Sequence, residues 1–259
     1  MRRRRGCSRA SELASTRRDV LIRTVPETGS TNADLLSALR AGEAVREGDW
    51  LVADRQVSGR GRQGRGWHDG HGNFMGSTIV RLLPGQPPAH TLSLLAGVAL
   101  FEAVQGVINA ADCTLRLKWP NDVLVRNAKL SGILLEAQGD AVVIGIGVNL
   151  VAAPDLPDRE TIALTAFGPA PDRDAFASSL AAHFATELER WRTYGLEPLI
   201  RSWTAAGTPR GTQVSVHEPD GGRVYGLFDG LEPDGSMRLR LEDGALRVIH
   251  AGDVILAER

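Results

Sequence analysis

The sequence contains little lysine and little cysteine, and it lacks long apolar runs. Only two residues, Cys7 and Cys113, are cysteines. Two cysteines do not form a disulfide framework, and their scarcity is typical of a protein of the reducing cytoplasm. No Cys or His pattern has metal-site spacing, and no apolar run approaches the roughly 20 residues of a membrane span. We therefore expect a soluble, cytoplasmic protein with no resident metal and no membrane partner.

A strong net charge is also missing. The chain has 259 residues, a formal net charge of −1 and 42% hydrophobic residues. Nucleic-acid-binding proteins usually carry a basic surplus, so we expect no nucleic-acid partner. Residues 1–19 hold seven arginines and no apolar segment follows, which excludes a signal peptide and predicts a disordered tail. The remaining length suits one large domain and one small domain.

Lysine is scarce because arginine supplies nearly all the positive charge. Of the 30 basic residues only Lys118 and Lys129 are lysines, and they lie eleven positions apart. A lysine ammonium is a compact point charge that reaches into confined places where the planar arginine group does not fit. The two lysines therefore indicate a specific electrostatic role, the alternative being chance in a lysine-poor chain.

Apolar periodicity predicts an α+β fold for residues 20–207. Strands are expected at 20–25, 49–54, 74–83, 114–118, 123–125, 130–137 and 141–150. Helices are expected from Ser30 to Gly42, at 91–108, where the helix should be largely buried, at 176–191 and at 198–206. Because strands and helices do not alternate regularly, we expect a mixed or antiparallel sheet with flanking helices.

The composition changes near residues 206–211. Four Asp-Gly pairs, at 220–221, 229–230, 234–235 and 243–244, separate short alternating stretches. Asp-Gly pairs at close spacing are hairpin signals. We therefore predict a second domain at 208–259 that forms a small β-barrel.

The segment Gln56–Trp67 alternates small and cationic residues. It contains Gly59, Arg60, Gly61, Arg62, Gly64, Arg65 and Gly66. The glycines predict a loop that is mobile when empty, and the arginine forks suit phosphate or carboxylate groups. The alternative is a solvated or RNA-binding arginine tract. Predicted strands on both sides place the loop inside a fold and favour a ligand clamp.

Four other stretches combine polar groups with strand or helix ends. They are Ser30-Thr31-Asn32, Lys118-Trp119-Pro120-Asn121-Asp122, the run from Lys129 to Glu136, and the run from Gly145 to Asn149. Gly132 would allow close approach of a ligand to its strand. Taken singly, each stretch has an equally good structural explanation, such as a helix cap, packed glycines or a core tryptophan.

In this order, the motifs GSTN, GRGRQGR, KWPND, KLSGILLE and GIGVN resemble those of bacterial biotin protein ligases. The resemblance implies a core like that of class II synthetases and an SH3-like C-terminal barrel. It also implies a two-step reaction with ATP, Mg²⁺ and biotin, which ends on a lysine of a biotin carboxyl carrier protein or domain. Only 28 residues precede Gly29, so we expect the form without an N-terminal DNA-binding domain.

The resemblance also assigns site residues. Biotin contacts are expected from Ser30, Thr31, Asn32, Gln56, Gly59, Arg60, Gly61, Arg62, Lys129 and Gly132. ATP and adenylate contacts are expected from Arg62, Arg65, Lys118, Asn121, Lys129 and Asn149. The catalytic set is Lys129, Arg62, Lys118 and Asp122, with Asp122 as the candidate for removing a proton from the carrier lysine. Residues 161–167 lack the tryptophan that the family often stacks on adenine.

Three alternatives remain open from the sequence. A lipoate ligase or transferase shares the fold, but its phosphate region typically lacks alternating glycine and arginine. A nucleic-acid-binding module would use the same loop and the barrel. A binding module would hold biotin without turnover, and the two lysines beside the arginines favour adenylation over it.

Overall fold

The computed structural model describes residues 20–108, 114–217 and 221–256. The predicted tail at 1–19 and both cysteines lie outside these ranges. The strands of the first part are β1 (Ile22–Thr28), β2 (Trp50–Gln56), β3 (Phe74–Arg81), β4 (Leu115–Lys118), β5 (Asp122–Val125), β6 (Ala128–Gln138) and β7 (Ala141–Val148). Its helices are α1 (Thr31–Arg40), α2 (Leu92–Gln105), α3 (Arg173–Tyr194) and α4 (Leu196–Ala206). The C-terminal strands are β8 (Gln213–His217), β9 (Arg223–Leu231), β10 (Met237–Arg240), β11 (Leu246–Ile249) and β12 (Asp253–Leu256).

Strands β1 to β7 form one sheet in the order β1-β2-β3-β7-β6-β5-β4. Strands β1 and β2 are parallel, and every other neighbouring pair in this sheet is antiparallel. The sheet is therefore mixed, which confirms the predicted α+β class. Strand β1 runs three residues beyond its predicted end because its pairing with β2 continues to Thr28 opposite Gln56.

Helices cover both faces of the sheet. The main core packs α2 against α3 and α4 on one face, and α2 is buried over most of its length, as predicted. On the other face, Leu35 and Leu36 of α1 pack against Leu51, Ile79 and Val143. This second core is small, so helix α1 covers only part of that face of the sheet. Among the described residues, no helix combines the length and apolar character that crossing a membrane requires.

The C-terminal strands form a five-stranded antiparallel sheet in the order β11-β10-β9-β8-β12. The pairs Asp234-Gly235 and Asp243-Gly244 lie in turns between strands, as predicted. The predicted turn at Asp229-Gly230 is wrong, because both residues lie inside β9, where the pairing with β10 shifts register. Gly230 has a φ of 103°, a backbone conformation that favours glycine, and it lies where the strand is irregular. Asp220 lies outside the described residues.

Candidate active site

A cavity of about 1040 Å³ opens between the α1 face of the large sheet and the C-terminal sheet. Strand β12 contributes Asp253 to Leu256 to its wall. The lining includes nearly all residues that the sequence selected: Ser30, Thr31, Asn32, Gln56, Arg60, Gly61, Arg62, Arg65, Lys118, Asn121, Asp122, Lys129, Gly132 and Asn149. Residues from five separate motifs thus meet around one space. Gly59 is the selected residue that does not line it.

Glycines form the floor of the cavity. Gly132 of β6 lies opposite Gly147 of β7, and Gly145 follows on the same face by strand alternation. A Cβ at Gly132 would lie 3.2 Å from Lys129 Nζ and 3.3 Å from the Trp67 ring. Glycine therefore gives the lysine and the indole the room they occupy above the strands.

Buried polar side chains form one end of the cavity. Gln56 Oε1 accepts a hydrogen bond from the Thr31 backbone N–H at 2.7 Å and lies 3.0 Å from the Thr31 hydroxyl oxygen. Ser30 precedes helix α1, but its side chain makes no capping hydrogen bond. These three residues are less than a tenth exposed, so polar groups here require partners. This end of the cavity suits a ligand with its own donors and acceptors.

Both lysines bind one carboxylate. Asp122 Oδ2 lies 2.8 Å from Lys118 Nζ, and Oδ1 lies 2.7 Å from Lys129 Nζ. Burial of the carboxyl would raise the pKa of Asp122, but the two ammonium groups outweigh that effect and hold the pKa well below its usual range. A carboxylate stabilised in this way is a weak base. The two ion pairs weigh against the predicted role of Asp122 as proton acceptor, which stays a prediction; here the carboxylate holds two cations in place.

The glycine-arginine loop is folded as a small hairpin. The Gly61 N–H donates to the Arg65 carbonyl at 2.7 Å, and the Trp67 N–H donates to the Gly59 carbonyl at 2.9 Å. A Cβ at Gly59 would lie 2.8 Å from the Trp67 carbonyl oxygen. Gly59 thus closes the hairpin and is not among the residues that line the cavity, so its predicted ligand contact stays a prediction.

Two loop arginines reach the C-terminal sheet. Arg62 donates to Asn121 Oδ1 and to the Gly252 carbonyl, both at 3.1 Å, and its Nη1 lies 3.6 Å from Asp253 Oδ1. Arg65 forms an ion pair with the other oxygen of Asp253. Lys118 also donates to the backbone carbonyl of Val254 at 3.1 Å. Strand β12 therefore orients three of the cations that the sequence selected.

Asn149 lines the cavity, but its side-chain amide binds the backbone of a neighbouring segment. Its Nδ2 donates to the Ile162 carbonyl at 3.2 Å. The Ile162 N–H in turn donates to the Lys129 carbonyl at 3.0 Å. Asn149 thus ties residues 160–162 to the base of β6, beside the lysine.

Sequence reasoning missed several lining residues. They are Trp67, Arg126, Arg159 and Asp253. The Trp67 indole lies over Gly132 and Gly147, and its buried Nε1 has no hydrogen-bond partner among the described residues. Its position directly after the glycine-arginine loop was a usable signal. Asp253 carried no local signal, because its importance arises from a contact with residues nearly 190 positions earlier.

The cavity is cationic overall. Seven lining residues are basic and four are acidic; the basic ones are Arg60, Arg62, Arg65, Lys118, Arg126, Lys129 and Arg159, and the acidic ones are Asp122, Asp158, Glu160 and Asp253. Fixed cations beside a glycine floor and a buried polar end suit a ligand with an anionic part and an uncharged polar part.

Comparison with known families gives this fold and cavity a class. The model described as the Biotin/lipoate A/B protein ligase family matches residues 26–149, and the model described as the Biotin protein ligase C terminal domain matches residues 211–257. The protein is therefore a ligase of the biotin and lipoate class.

Individual relatives narrow that class. A biotin–[acetyl-CoA-carboxylase] ligase of Mycobacterium tuberculosis is 37% identical over 89% of this chain and 87% of its own length. The bifunctional ligase/repressor BirA of Bacillus subtilis is 33% identical over 81% of this chain and 66% of its own length. A biotin protein ligase from Aquifex aeolicus, solved in complex with biotin and ATP, is 25% identical and superposes with a TM-score of 0.79 over 92% of this chain and 99% of that chain. The chain belongs to the biotin protein ligase family.

Proposed function

We propose that this protein activates biotin with ATP to biotinyl-5′-AMP, releasing pyrophosphate, and then transfers biotin to a lysine of a biotin carboxyl carrier protein or domain. The observation that carries the proposal is a single cavity with Thr31 and Gln56 at its buried polar end and Lys118, Lys129 and Arg62 at its cationic end. Biotin has a matching polarity, with a cyclic urea at one end and a carboxylate at the other. The cytoplasm, where carrier proteins occur, is the proposed location.

The first step is an electrostatic problem. A carboxylate has a pKa of roughly 4–5, so biotin reaches the site already ionised and needs no general base. Its attack on the α-phosphate of ATP is opposed by repulsion between two anions. Preorganised cations that face the developing charge lower that barrier. Seven basic side chains line the cavity where these anions would meet.

We assign the central position to Lys129. Its Nζ is held by Asp122 at 2.7 Å, directly above the glycine floor. From there it would contact both the biotin carboxylate and the α-phosphate. Arg62, oriented by Asn121 and by the Gly252 carbonyl, would bind the adenylate phosphate. Trp67, whose indole lies over Gly132 and Gly147, would form an aromatic wall beside the ligand.

Magnesium would enter as the complex with ATP. Mg²⁺ commonly binds substrate phosphates together with one or two carboxylates, and it keeps several waters. Asp158 and Glu160 line the cavity and are able to supply such an oxygen. Among the described residues, no group of three or more His, Cys, Asp or Glu side chains is arranged around a metal position.

In the second step, the carrier lysine attacks the acyl carbon of the adenylate as a neutral amine. An amide bond forms, the bond between the acyl carbon and the phosphate oxygen breaks, and AMP leaves. The free pKa of a lysine is about 10.4, so the amine must lose a proton before it attacks. Asp122 is bound to two ammonium groups and is a weak base in this arrangement. We therefore give Asp122 the task of holding Lys118 and Lys129, and the proton of the carrier amine passes to solvent water.

The test is transfer to a carrier. The purified protein is incubated with ATP, Mg²⁺, labelled biotin and a biotin carboxyl carrier domain. The matched control carrier has its acceptor lysine replaced by arginine. We expect label on the first carrier and none on the second. Transfer of lipoate in place of biotin would show that the protein is a lipoate ligase or transferase. Binding of biotin without transfer would show that it is a biotin-binding module.

A further inference from the structure

Behind the polar end of the cavity, a chain of hydrogen bonds runs through the fold. Glu136 Oε2 on β6 accepts from Asn32 Nδ2 at 2.8 Å. Asn32 Oδ1 accepts from the Ser77 hydroxyl at 2.6 Å, and Ser77 Oγ lies 2.6 Å from Thr31 Oγ1. Ser77 is fully buried, and neither Ser77 nor Glu136 lines the cavity. The chain thus connects a residue outside the site to Thr31 inside it.

The carboxylate fixes the direction of every hydrogen bond in this chain. An ionised carboxylate only accepts, so Asn32 must turn its amide nitrogen toward Glu136 and its oxygen toward Ser77. That oxygen takes the single hydroxyl proton of Ser77. In the close contact between Ser77 and Thr31, the proton must therefore come from Thr31.

The direction of these hydrogen bonds decides whether the Thr31 hydroxyl is able to accept a hydrogen bond from a ligand in the cavity. Thr31 Oγ1 also lies 3.0 Å from Gln56 Oε1, but its one proton is directed to Ser77 at the shorter distance of 2.6 Å. Two oxygen acceptors are then adjacent with no proton between them. A ligand N–H directed at this pair satisfies both, whereas a ligand without a donor leaves two buried acceptors facing each other.

We propose that Glu136 is a positioning residue that keeps the Thr31 hydroxyl as an acceptor for an N–H group of a cyclic urea. Without the carboxylate, Asn32 is free to rotate its amide and donate to Ser77. Ser77 then donates to Thr31, and Thr31 donates to Gln56. All the groups are satisfied internally in that reversed chain, and the acceptor for the ligand is lost. The proposal rests on the proposed function, since the urea is that of biotin.

The experiment swaps the hydrogen-bond donor and acceptor in the pair Asn32 and Glu136, where the chain of hydrogen bonds begins. Glu136→Ala removes the group that sets the direction. Asn32→Asp places two carboxylates against each other. The double variant Asn32→Asp/Glu136→Gln restores one donor and one acceptor, because the glutamine amide donates to the aspartate while the other aspartate oxygen still accepts from Ser77. Gln138→Ala on the same strand, whose side chain binds the exposed Arg40 outside the cavity, is the control.

Biotin affinity is measured by calorimetry without ATP, and the KM for ATP by pyrophosphate exchange. We expect Glu136→Ala to weaken biotin about tenfold because the direction of the hydrogen bonds is lost, and Asn32→Asp to weaken it through repulsion between the two carboxylates. The double variant should return to within about threefold of the original protein. The KM for ATP should stay within about twofold of the original value in every variant, because the chain of hydrogen bonds does not reach the cationic end of the cavity. Biotin methylated on the ring nitrogen that faces Thr31 should lose affinity for the original protein and lose little for Glu136→Ala.

Three results would overturn the proposal: normal biotin affinity in Glu136→Ala, a double variant no better than Asn32→Asp, or the same penalty for N-methylation in every protein. A change in the Gln138→Ala control equal to that in Glu136→Ala would assign the effect to strand β6 as a whole. If the original protein does not bind biotin, the proposed function itself fails. If it binds biotin and the variants do not differ, only the role of Glu136 fails.

Discussion

Arg65 in the glycine-arginine loop forms an ion pair with Asp253 at the start of β12, 188 positions further along the chain. The same carboxylate faces Arg62 through its second oxygen. The loop that supplies cations to the cavity is thus anchored by the C-terminal sheet. This gives the sheet a definite task at the active site.

Loss of that anchor should loosen the loop. Asp253→Ala removes both ion pairs, so we expect trypsin to cleave the ligand-free protein after Arg60, Arg62 or Arg65 several-fold faster, because local opening then requires less free energy. Cleavage is followed by mass spectrometry. Asp243→Ala, in a turn of the same sheet, is the matched control and should leave the rate unchanged. Equal cleavage rates in Asp253→Ala and the original protein would mean that the ion pairs do not restrain the loop.

Substrates should protect the same loop. Biotin and ATP together bring phosphate and carboxylate groups that pair with the loop arginines and hold the hairpin closed over the adenylate. Closure also excludes water, which would hydrolyse the acyl-phosphate anhydride. We expect tryptic cleavage at 60–65 to fall once biotinyl-adenylate has formed, relative to cleavage elsewhere in the chain. If both ligands together leave cleavage at 60–65 unchanged, the loop is not a lid.

Lys129 should not be replaceable by arginine. Its Nζ occupies a confined position, 2.7 Å from Asp122 and above a glycine whose Cβ would lie only 3.2 Å away. A planar guanidinium does not fit there as a point charge. Lys129→Arg should lose about 2–4 kcal/mol of transition-state stabilisation, close to the loss in Lys129→Ala. The value comes from kcat/KM in pyrophosphate exchange, with the exposed Arg40→Lys as control. Near-normal exchange in Lys129→Arg would show that any cation suffices.

The ion pairs of Asp122 predict a pH dependence of stability. The folded pKa of Asp122 is depressed, so its contribution is complete above the unfolded pKa of about 3.8 and is lost only as the pH falls through the lower folded pKa. Asp122→Asn should cost about 3 kcal/mol, since it leaves two largely buried ammonium groups without a counter-charge. That difference in unfolding free energy should be constant from about pH 5 to pH 8 and shrink below about pH 4.

Urea unfolding of both proteins across this pH range checks the prediction. A difference that changes between pH 5 and pH 8 would show that Asp122 titrates near neutrality. Asp122 would then be a candidate base, and a role limited to holding the two lysines would be wrong.

Much of this fold was accessible from local patterns. The strands around the cavity carry clear apolar signals, and α2 was recognised from helical spacing because nearly every position of it is buried. The Asp229-Gly230 pair was wrongly predicted as a turn, because the positive φ that glycine tolerates suits a bulge within a strand as well as a turn. Strand ends also shifted, since they are set by pairing with a neighbour and not by composition alone.

The site was accessible only in part. Residues clustered in motifs were found, because glycine, arginine and lysine are conspicuous when they alternate or are rare. Asp253 and Glu136 were not assigned roles, because each acts through a contact with a distant part of the chain. The weak basicity of Asp122 also depends on two lysines brought to opposite oxygens of one carboxylate, which spacing alone does not reveal.

The reaction that we propose for this cavity is the adenylation of biotin. The most direct measurement is incorporation of labelled pyrophosphate into ATP, with no added acid, with biotin and with lipoate. Exchange requires reversible formation of the acyl-adenylate and does not depend on a carrier protein. We expect exchange that appears with biotin, is absent without it and is far weaker with lipoate, which has no N–H group for Thr31 and Gln56. Equal exchange with lipoate, or none with biotin, would contradict it.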